Sequence, residues 1–201
     1  MPDHFALLNE PRRPWIDPEA LKQKFLALSS QFHPDRVHAA PQAERIAADR
    51  RFSEMNAAYN CLREPKDRLR HLLELELGEK PADIQLVPAQ VMDAFFEVGQ
   101  LCKQVDGFLE EKGRVASPLL KVQWFERGQE WIERLNGLQK KINMQRDALL
   151  EELKTMNAPW QSNAPREQLP LKRLDEIYRL LGYFGRWSAQ LQERVVQLSF
   201  D

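Results

Sequence analysis

The sequence predicts an all-α protein in two parts, a small N-terminal helical domain and a C-terminal antiparallel three-helix bundle. Two observations carry that reading. Apolar residues recur at steps of three and four over nearly the whole chain, the period of a helix with one buried face, and no run alternates as a half-buried strand would. Prolines fall where the periodic stretches begin or end, at Pro11, Pro18, Pro34, Pro65 and Pro118, where a residue without an amide hydrogen is tolerated. With 201 residues, 43% of them hydrophobic, the chain has enough apolar material for one large core or two small ones.

Taken in order, Phe5 to Leu8 give one or two turns before Pro11. Asp17-Pro18-Glu19 starts the next helix with a carboxylate cap, a proline in the first turn and negative charge near the positive end of the dipole. Leu21, Phe25, Leu28 and Phe32 form its stripe, and Pro34 stops it by disfavouring helical geometry at His33. Residues 34–42 read as a loop. A further helix runs from about Ala43 to Glu64 on the stripe Ala48, Phe52, Met55, Tyr59 and Leu62, closed by Pro65. A shorter one, Lys66 to Leu77, carries Leu69, Leu72, Leu73 and Leu77, with Gly78 as its C-cap.

These elements make a domain over residues 1–78, followed by a polar linker at 79–88 and a second domain over 89–201. In the second domain Val91, Phe95, Val98, Cys102, Val105 and Leu109 alternate by four and three, a heptad seam. Ser117-Pro118 restarts a helix that continues through Trp131, Leu135, Leu138, Ile142, Leu149 and Leu153 to about Met156, with Gly128 and Gly137 as places to bend or break it. Residues 157–170 read as a loop, and Leu174 to Leu198 form the last stripe. Trp124, Trp131, Trp160 and Trp187 read as core or loop anchors.

Composition and motifs exclude several classes. Twenty-nine basic against 30 acidic residues leave a formal charge of −1, so nothing points to nucleic acid or an anionic membrane as partner. No stretch reaches the ~20 apolar residues of a membrane span, and Met1 to Phe5 lacks a secretory or transit signal, so a cytoplasmic protein is expected. No phosphate-binding glycine loop, Walker motif, His-Glu-x-x-His or Gly-x-Ser-x-Gly is present, and an enzyme is not expected. His4, His33, His38 and His71 are scattered, and Cys61 and Cys102 sit on or beside helix stripes without a base or cationic setting. No metal and no cofactor is expected.

One tripeptide stands apart: His33-Pro34-Asp35, between two striped helices. With Phe5-x-Leu7-Leu8, the stripe Leu21 to Phe32, Arg36, Phe52, Met55-Asn56, Tyr59, Leu62, Pro65 and Arg68 around it, the sequence resembles the J-domain family, co-chaperones of DnaK-type heat-shock ATPases. Within that family Met55-Asn56-x-Ala58-Tyr59-x-x-Leu62-Arg63-x-Pro65-x-x-Arg68 and Leu72-Leu73 are similar to the HscB type, which serves iron–sulfur cluster assembly and joins a J-domain directly to a helical bundle. The resemblance implies that His33, Pro34, Asp35 and Arg36, flanked by Lys22 and Lys24, dock on a DnaK- or HscA-type chaperone and stimulate its ATPase. Asp35 would pair with an arginine of the chaperone, His33 would form a hydrogen bond, and Pro34 would stiffen the tip. Residues 12–36 hold five basic and three acidic side chains, an excess that would steer docking to an acidic surface. Ser29 and Ser30 stand where the family commonly has basic residues.

The resemblance further implies that the first helix of the bundle holds a protein client, an iron–sulfur scaffold. Val91, Met92 and Phe95 keep the family's apolar character there, Phe96, Val98, Gly99 and Gln100 replace its charged positions, and Met92, Phe95, Phe96 and Gly99 are the candidate client residues. Helical phase bears on this independently. Val91, Phe95 and Val98 belong to the seam, whereas Met92, Phe96 and Gly99 form a second stripe about 100° away. That stripe is either a wider buried face or an exposed apolar surface for a partner. The runner-up function is a J-like interaction scaffold with another client or without chaperone stimulation.

Overall fold

The computed structural model describes residues 2–32, 41–81, 87–112 and 118–199. Their secondary structure is helical throughout: α1 (His4–Leu7), α2 (Pro18–Phe32), α3 (Gln42–Arg63), α4 (Pro65–Leu77), α5 (Met92–Lys112), α6 (Pro118–Thr155), α7 (Ala158–Gln161) and α8 (Leu171–Ser199). The fold is all-α, with the helical hairpin and flanking helices expected at the N-terminus and three long helices after them.

The local signals act as chemistry requires. Asp3 caps α1, its carboxylate accepting from the amides of Phe5 and Ala6 at 3.0 and 3.2 Å. The Asp17 carboxylate accepts from the Ala20 amide at 2.8 Å and opens α2. Gly78 ends α4 with φ of 80°, a left-handed conformation that costs glycine little, and its amide closes on the Glu74 carbonyl at 3.0 Å. Two positions differ from the sequence reading. α6 runs unbroken for 38 residues through Gly128 and Gly137, because burial of its seam outweighs the ~1 kcal/mol that glycine costs a helix interior. Within 157–170, read as loop, Ala158–Gln161 make a single turn with Pro159 near its start.

The chain packs as two compact units, Met1–Ala82 with Leu150–Tyr178, and Asp83–Leu149 with Arg179–Asp201. In the first, α1 and α2 both pack on α3, which also meets α4. Phe5, Leu8, Leu21, Leu62, Leu69 and Leu72 are fully buried there. In the second, the seam residues Val98, Cys102, Val105, Leu135, Leu138 and Ile142 form one core with Phe184, Trp187 and Leu191. Cross-links give its directions. Arg134 reaches Gln104 at 3.1 Å and Lys141 reaches Glu97 at 2.7 Å, so residue numbers rise on α6 as they fall on α5. Phe95 meets Trp187 and Arg194 meets Asp106, so α8 runs parallel to α5 and antiparallel to α6.

Candidate functional site

The α2–α3 hairpin is held by side chains that meet in antiparallel register. Phe25 stacks on Tyr59 with ring centroids 4.3 Å apart, and seven residues further along α2 the Arg51 guanidinium lies 3.7 Å from the centroid of Phe32. Phe32 and Pro41 therefore mark one end of the hairpin. His33, Pro34, Asp35 and Arg36, the expected docking residues, lie outside the described residues, as does His38.

Of the two flanking lysines, Lys22 is exposed, whereas Lys24 turns toward the N-terminal loop. Its ammonium donates to the Asn9 carbonyl at 3.1 Å and to the Glu10 carboxylate. Glu10 is buried, and its second oxygen accepts from Arg13 at 3.0 Å. A buried carboxylate needs such partners, since an unpaired charge away from water is costly. On the outward side of α2, Leu26 is 50% exposed, and the Ser30 hydroxyl donates to the Ala27 carbonyl at 2.8 Å.

The base of the domain is fixed by three buried polar groups, Arg68, Asn157 and His71. Arg68 donates to the carbonyls of Pro14 at 2.8 Å and Leu62 at 2.6 Å, and its burial pulls its pKa down to about 10. The Pro14–Trp15 segment is gripped from the other side as well. The Trp15 amide donates to Asn157 Oδ1 at 3.1 Å, and Asn157 Nδ2 donates to the Trp15 carbonyl at 3.0 Å. His71 accepts from the His4 amide through Nε2 at 3.0 Å, so its proton sits on Nδ1. Burial, then the neighbouring His4, lowers its pKa to about 4 and keeps it neutral.

On α5 the four expected client residues separate by phase. Val91, Val98, Leu101, Cys102, Val105 and Phe108 fill the buried arc. Phe96, roughly opposite that arc at about 100° per residue, is 63% exposed, and Gly99 beside it is exposed. Phe95, although in the heptad seam, is 41% exposed: it lies at the arc's edge, 6.4 Å from Trp187 and 5.6 Å from Phe96. Met92 is half-buried. Phe96 and Gly99 therefore stand on the exposed side of α5 and are not part of a wider buried face. A groove of about 330 Å³ lies instead between α5 and α6, lined by Glu97, Gln100, Leu101, Gln104, Arg134, Gly137, Leu138 and Lys141 and by none of the four expected client residues.

Neither cysteine is set up as a nucleophile. Burial pushes the Cys61 thiol up to about 11 and raises that of Cys102, the opposite of an activated thiolate. Among the described residues no three His, Cys, Asp or Glu side chains gather as a metal site, and no helix is long and apolar enough to cross a membrane. Sequence reasoning missed the Glu10–Lys24 pair, the Arg51–Phe32 contact and the Asn157–Trp15 pair. The last joins residues 142 apart, and no periodicity signals it.

Comparison with known proteins agrees with this architecture. A DnaJ domain matches residues 3–71, the stretch that holds α1 to α3 and the start of α4. Two relatives, each named co-chaperone protein HscB homolog, are 37% identical in Bordetella petrii and 36% identical in Bordetella pertussis over 99 residues. Those alignments cover 49% of this chain and span only 56% of each relative. The chaperone HscB from Vibrio cholerae shares the fold with a TM-score of 0.65 at 21% identity, over 98% of this chain and 99% of that one. The human co-chaperone protein HscB does so with a TM-score of 0.61 at 16% identity, over 96% and 82% of the two chains. Taken together, residues 3–71 are similar to the DnaJ domain, just under half of the chain is similar to co-chaperones named HscB homolog, and two solved HscB structures share its fold.

Proposed function

We propose that this protein is a non-enzymatic co-chaperone: it docks on a DnaK-type (Hsp70-type) ATPase, stimulates ATP hydrolysis and delivers a protein client, an iron–sulfur cluster scaffold. The observation that carries the reading is the DnaJ-domain match at residues 3–71, which encloses His33-Pro34-Asp35 between two helices held in antiparallel register. In this reading Asp35 pairs with a cation of the chaperone, His33 donates or accepts one hydrogen bond, and Pro34 limits the conformations the tip must lose on docking. Arg36 and Lys22 steer the encounter, and Lys24 adds its charge from the flank. None of them makes or breaks a bond; together they bias a conformational equilibrium of the partner.

The client is assigned to Met92, Phe95, Phe96 and Gly99. The exposure of Phe96 and Phe95 on one face supports this, because neighbouring large apolar side chains on a surface mark interaction sites. Residues 1–78 are proposed as the chaperone-facing domain and 89–201 as the client-facing one, with 79–88 between them, and the cytoplasm as their compartment. Single-turnover ATP hydrolysis by the DnaK-type chaperone of the same cell tests the reading. Wild type should accelerate it and His33→Gln should not; equal rates would overturn the regulatory role. A second reading, an interaction scaffold without chaperone stimulation, draws support from the outward side of α2, which carries exposed Leu26 and Ser30 where a cationic face is expected. A wild-type protein that leaves hydrolysis unchanged would favour it.

A further inference from the structure

We infer that Arg51 is a positioning residue of the hairpin end: its contact with Phe32 fixes the last turn of α2, from which His33-Pro34-Asp35 departs. The inference rests on the chaperone-docking reading for its consequence, though not for its geometry. Phe32 is the last residue of α2 and half-buried, and Arg51 stands on the facing part of α3. At 3.7 Å from guanidinium carbon to ring centroid, this is the shortest of the cation–ring contacts among the described residues. Its neighbour Arg50 pairs instead with Glu54 on the same helix at 2.9 Å. The rung below, Phe25 on Tyr59, is aromatic on both sides. At the terminal rung a second aromatic ring would have to sit at the water boundary. A guanidinium does the same holding there while its edge stays hydrated, since it stacks on a ring face and is weakly hydrated for a cation.

A frayed last turn would leave fewer molecules with the tip in a docking-competent arrangement, and apparent affinity falls by that fraction while the effect at saturation does not. Loss of Arg51 should therefore raise the concentration for half-maximal stimulation with an unchanged plateau. The expected change is about two- to fivefold, the size of an exposed cation–π contact.

The test compares Arg51→Ala, Arg51→Lys, Phe32→Leu and the Arg51→Ala/Phe32→Leu double variant in the full chain. Two readouts are used: half-saturating concentration in single-turnover ATPase assays, and amide hydrogen exchange at residues 29–32. If Arg51 acts through Phe32, Arg51→Ala weakens docking and speeds exchange about two- to fivefold in the wild-type background. It then adds nothing in the Phe32→Leu background, and Arg51→Lys recovers part of the loss. An Arg51→Ala effect of equal size in both backgrounds would mean that Arg51 touches the chaperone itself, and no effect in either readout would mean that the contact is incidental; both overturn the inference. Should wild type not stimulate hydrolysis at all, the proposed function fails, and the exchange comparison still decides the role of Arg51.

Discussion

In the proposed function the hairpin end of α2 and α3 faces the chaperone and the outward face of α5 faces the client, and the residues at the two places are held by different means. Near the hairpin, polar groups from separate segments hold one another: Arg51 over Phe32, Glu10 on Lys24 and Arg13, Arg68 on the carbonyls of Pro14 and Leu62. On α5, Phe96 and Gly99 stand outward through helical phase alone, with Val98 and Leu101 two residues away on the buried side. The contrast teaches where function and folding can be separated. A substitution on the α5 face changes what the surface offers and leaves the core as it is. One beneath the hairpin removes a hydrogen-bond partner and changes the fold with it.

The largest expected effect breaks α5 along this line. Val98→Glu puts a carboxylate at a position 2% exposed, among apolar neighbours, and should cost about 3–5 kcal/mol as an unpaired buried charge. Phe96→Glu, at a position 63% exposed, should stay within about 0.5 kcal/mol of wild type. Urea unfolding followed by circular dichroism checks both. Client binding should fall at least tenfold in Phe96→Glu with the fold retained. If Phe96→Glu unfolded the bundle as Val98→Glu does, the α5 face would be core rather than surface.

Arg68 tests the hairpin side. Arg68→Met keeps much of the buried aliphatic stem and removes both hydrogen bonds, leaving the Pro14 and Leu62 carbonyls without their donor. Hydrogen bonds to a charged donor contribute about 1.5–3 kcal/mol each, but removing the buried guanidinium also recovers its desolvation cost, so a net loss of about 2–3 kcal/mol is expected. A smaller loss than Phe96→Glu produces would erase the contrast between the two regions.

How far the sequence reached follows the same division. The start of α2 was legible from Asp17-Pro18, because capping geometry is local. The buried arc of α5 was legible from the heptad pattern, and the exposure of Phe96 was one of two alternatives that phase left open. Phe95 shows the limit: a seam position by spacing, it is 41% exposed because it lies at the edge of the buried arc, with Trp187 6.4 Å away. Lys24 shows another. Its residue type suggested a docking cation, while its direction on α2 brings it to Glu10, which stands fourteen residues earlier. Asn157 could not have been read at all, since its partner is the backbone of Trp15. Periodicity reports which side of a helix is buried and is silent about polar contacts between segments.

A third prediction uses pH. All four histidines lie within residues 1–71, and of the two among the described residues His71 is buried and His4 half-buried. Its pKa falls from an ordinary 6.5 to about 4 in the folded protein, by burial first and then by His4, with Arg12 and Arg70 acting in the same direction and Asp3 against them. The unfolded chain therefore takes up a proton between pH 6.5 and about 4 that the folded chain refuses, and stability must decline as pH falls through that window. His4, also lowered by burial, adds to the decline. Unfolding free energies measured across the window should slope downward toward acid in wild type. His71→Gln keeps an acceptor for the His4 amide without the titration, and should flatten the slope.

The smallest effect compares two lysine–glutamate pairs of similar appearance. Lys141 and Glu97 meet at 2.7 Å with side chains 65% and 50% exposed, so water screens them almost fully. Lys141→Ala should cost no more than about 0.5 kcal/mol, and that loss should vanish in 1 M salt, where the Debye length is about 3 Å. Lys24 faces a Glu10 side chain only 4% exposed. Lys24→Ala leaves that carboxylate with Arg13 as its remaining partner, and should cost about 1–2 kcal/mol with little dependence on salt. Urea titrations at low and high salt separate the two. Equal, salt-sensitive losses would mean that Glu10 is hydrated in solution, and Lys24 would then belong with Lys22 as a free docking cation.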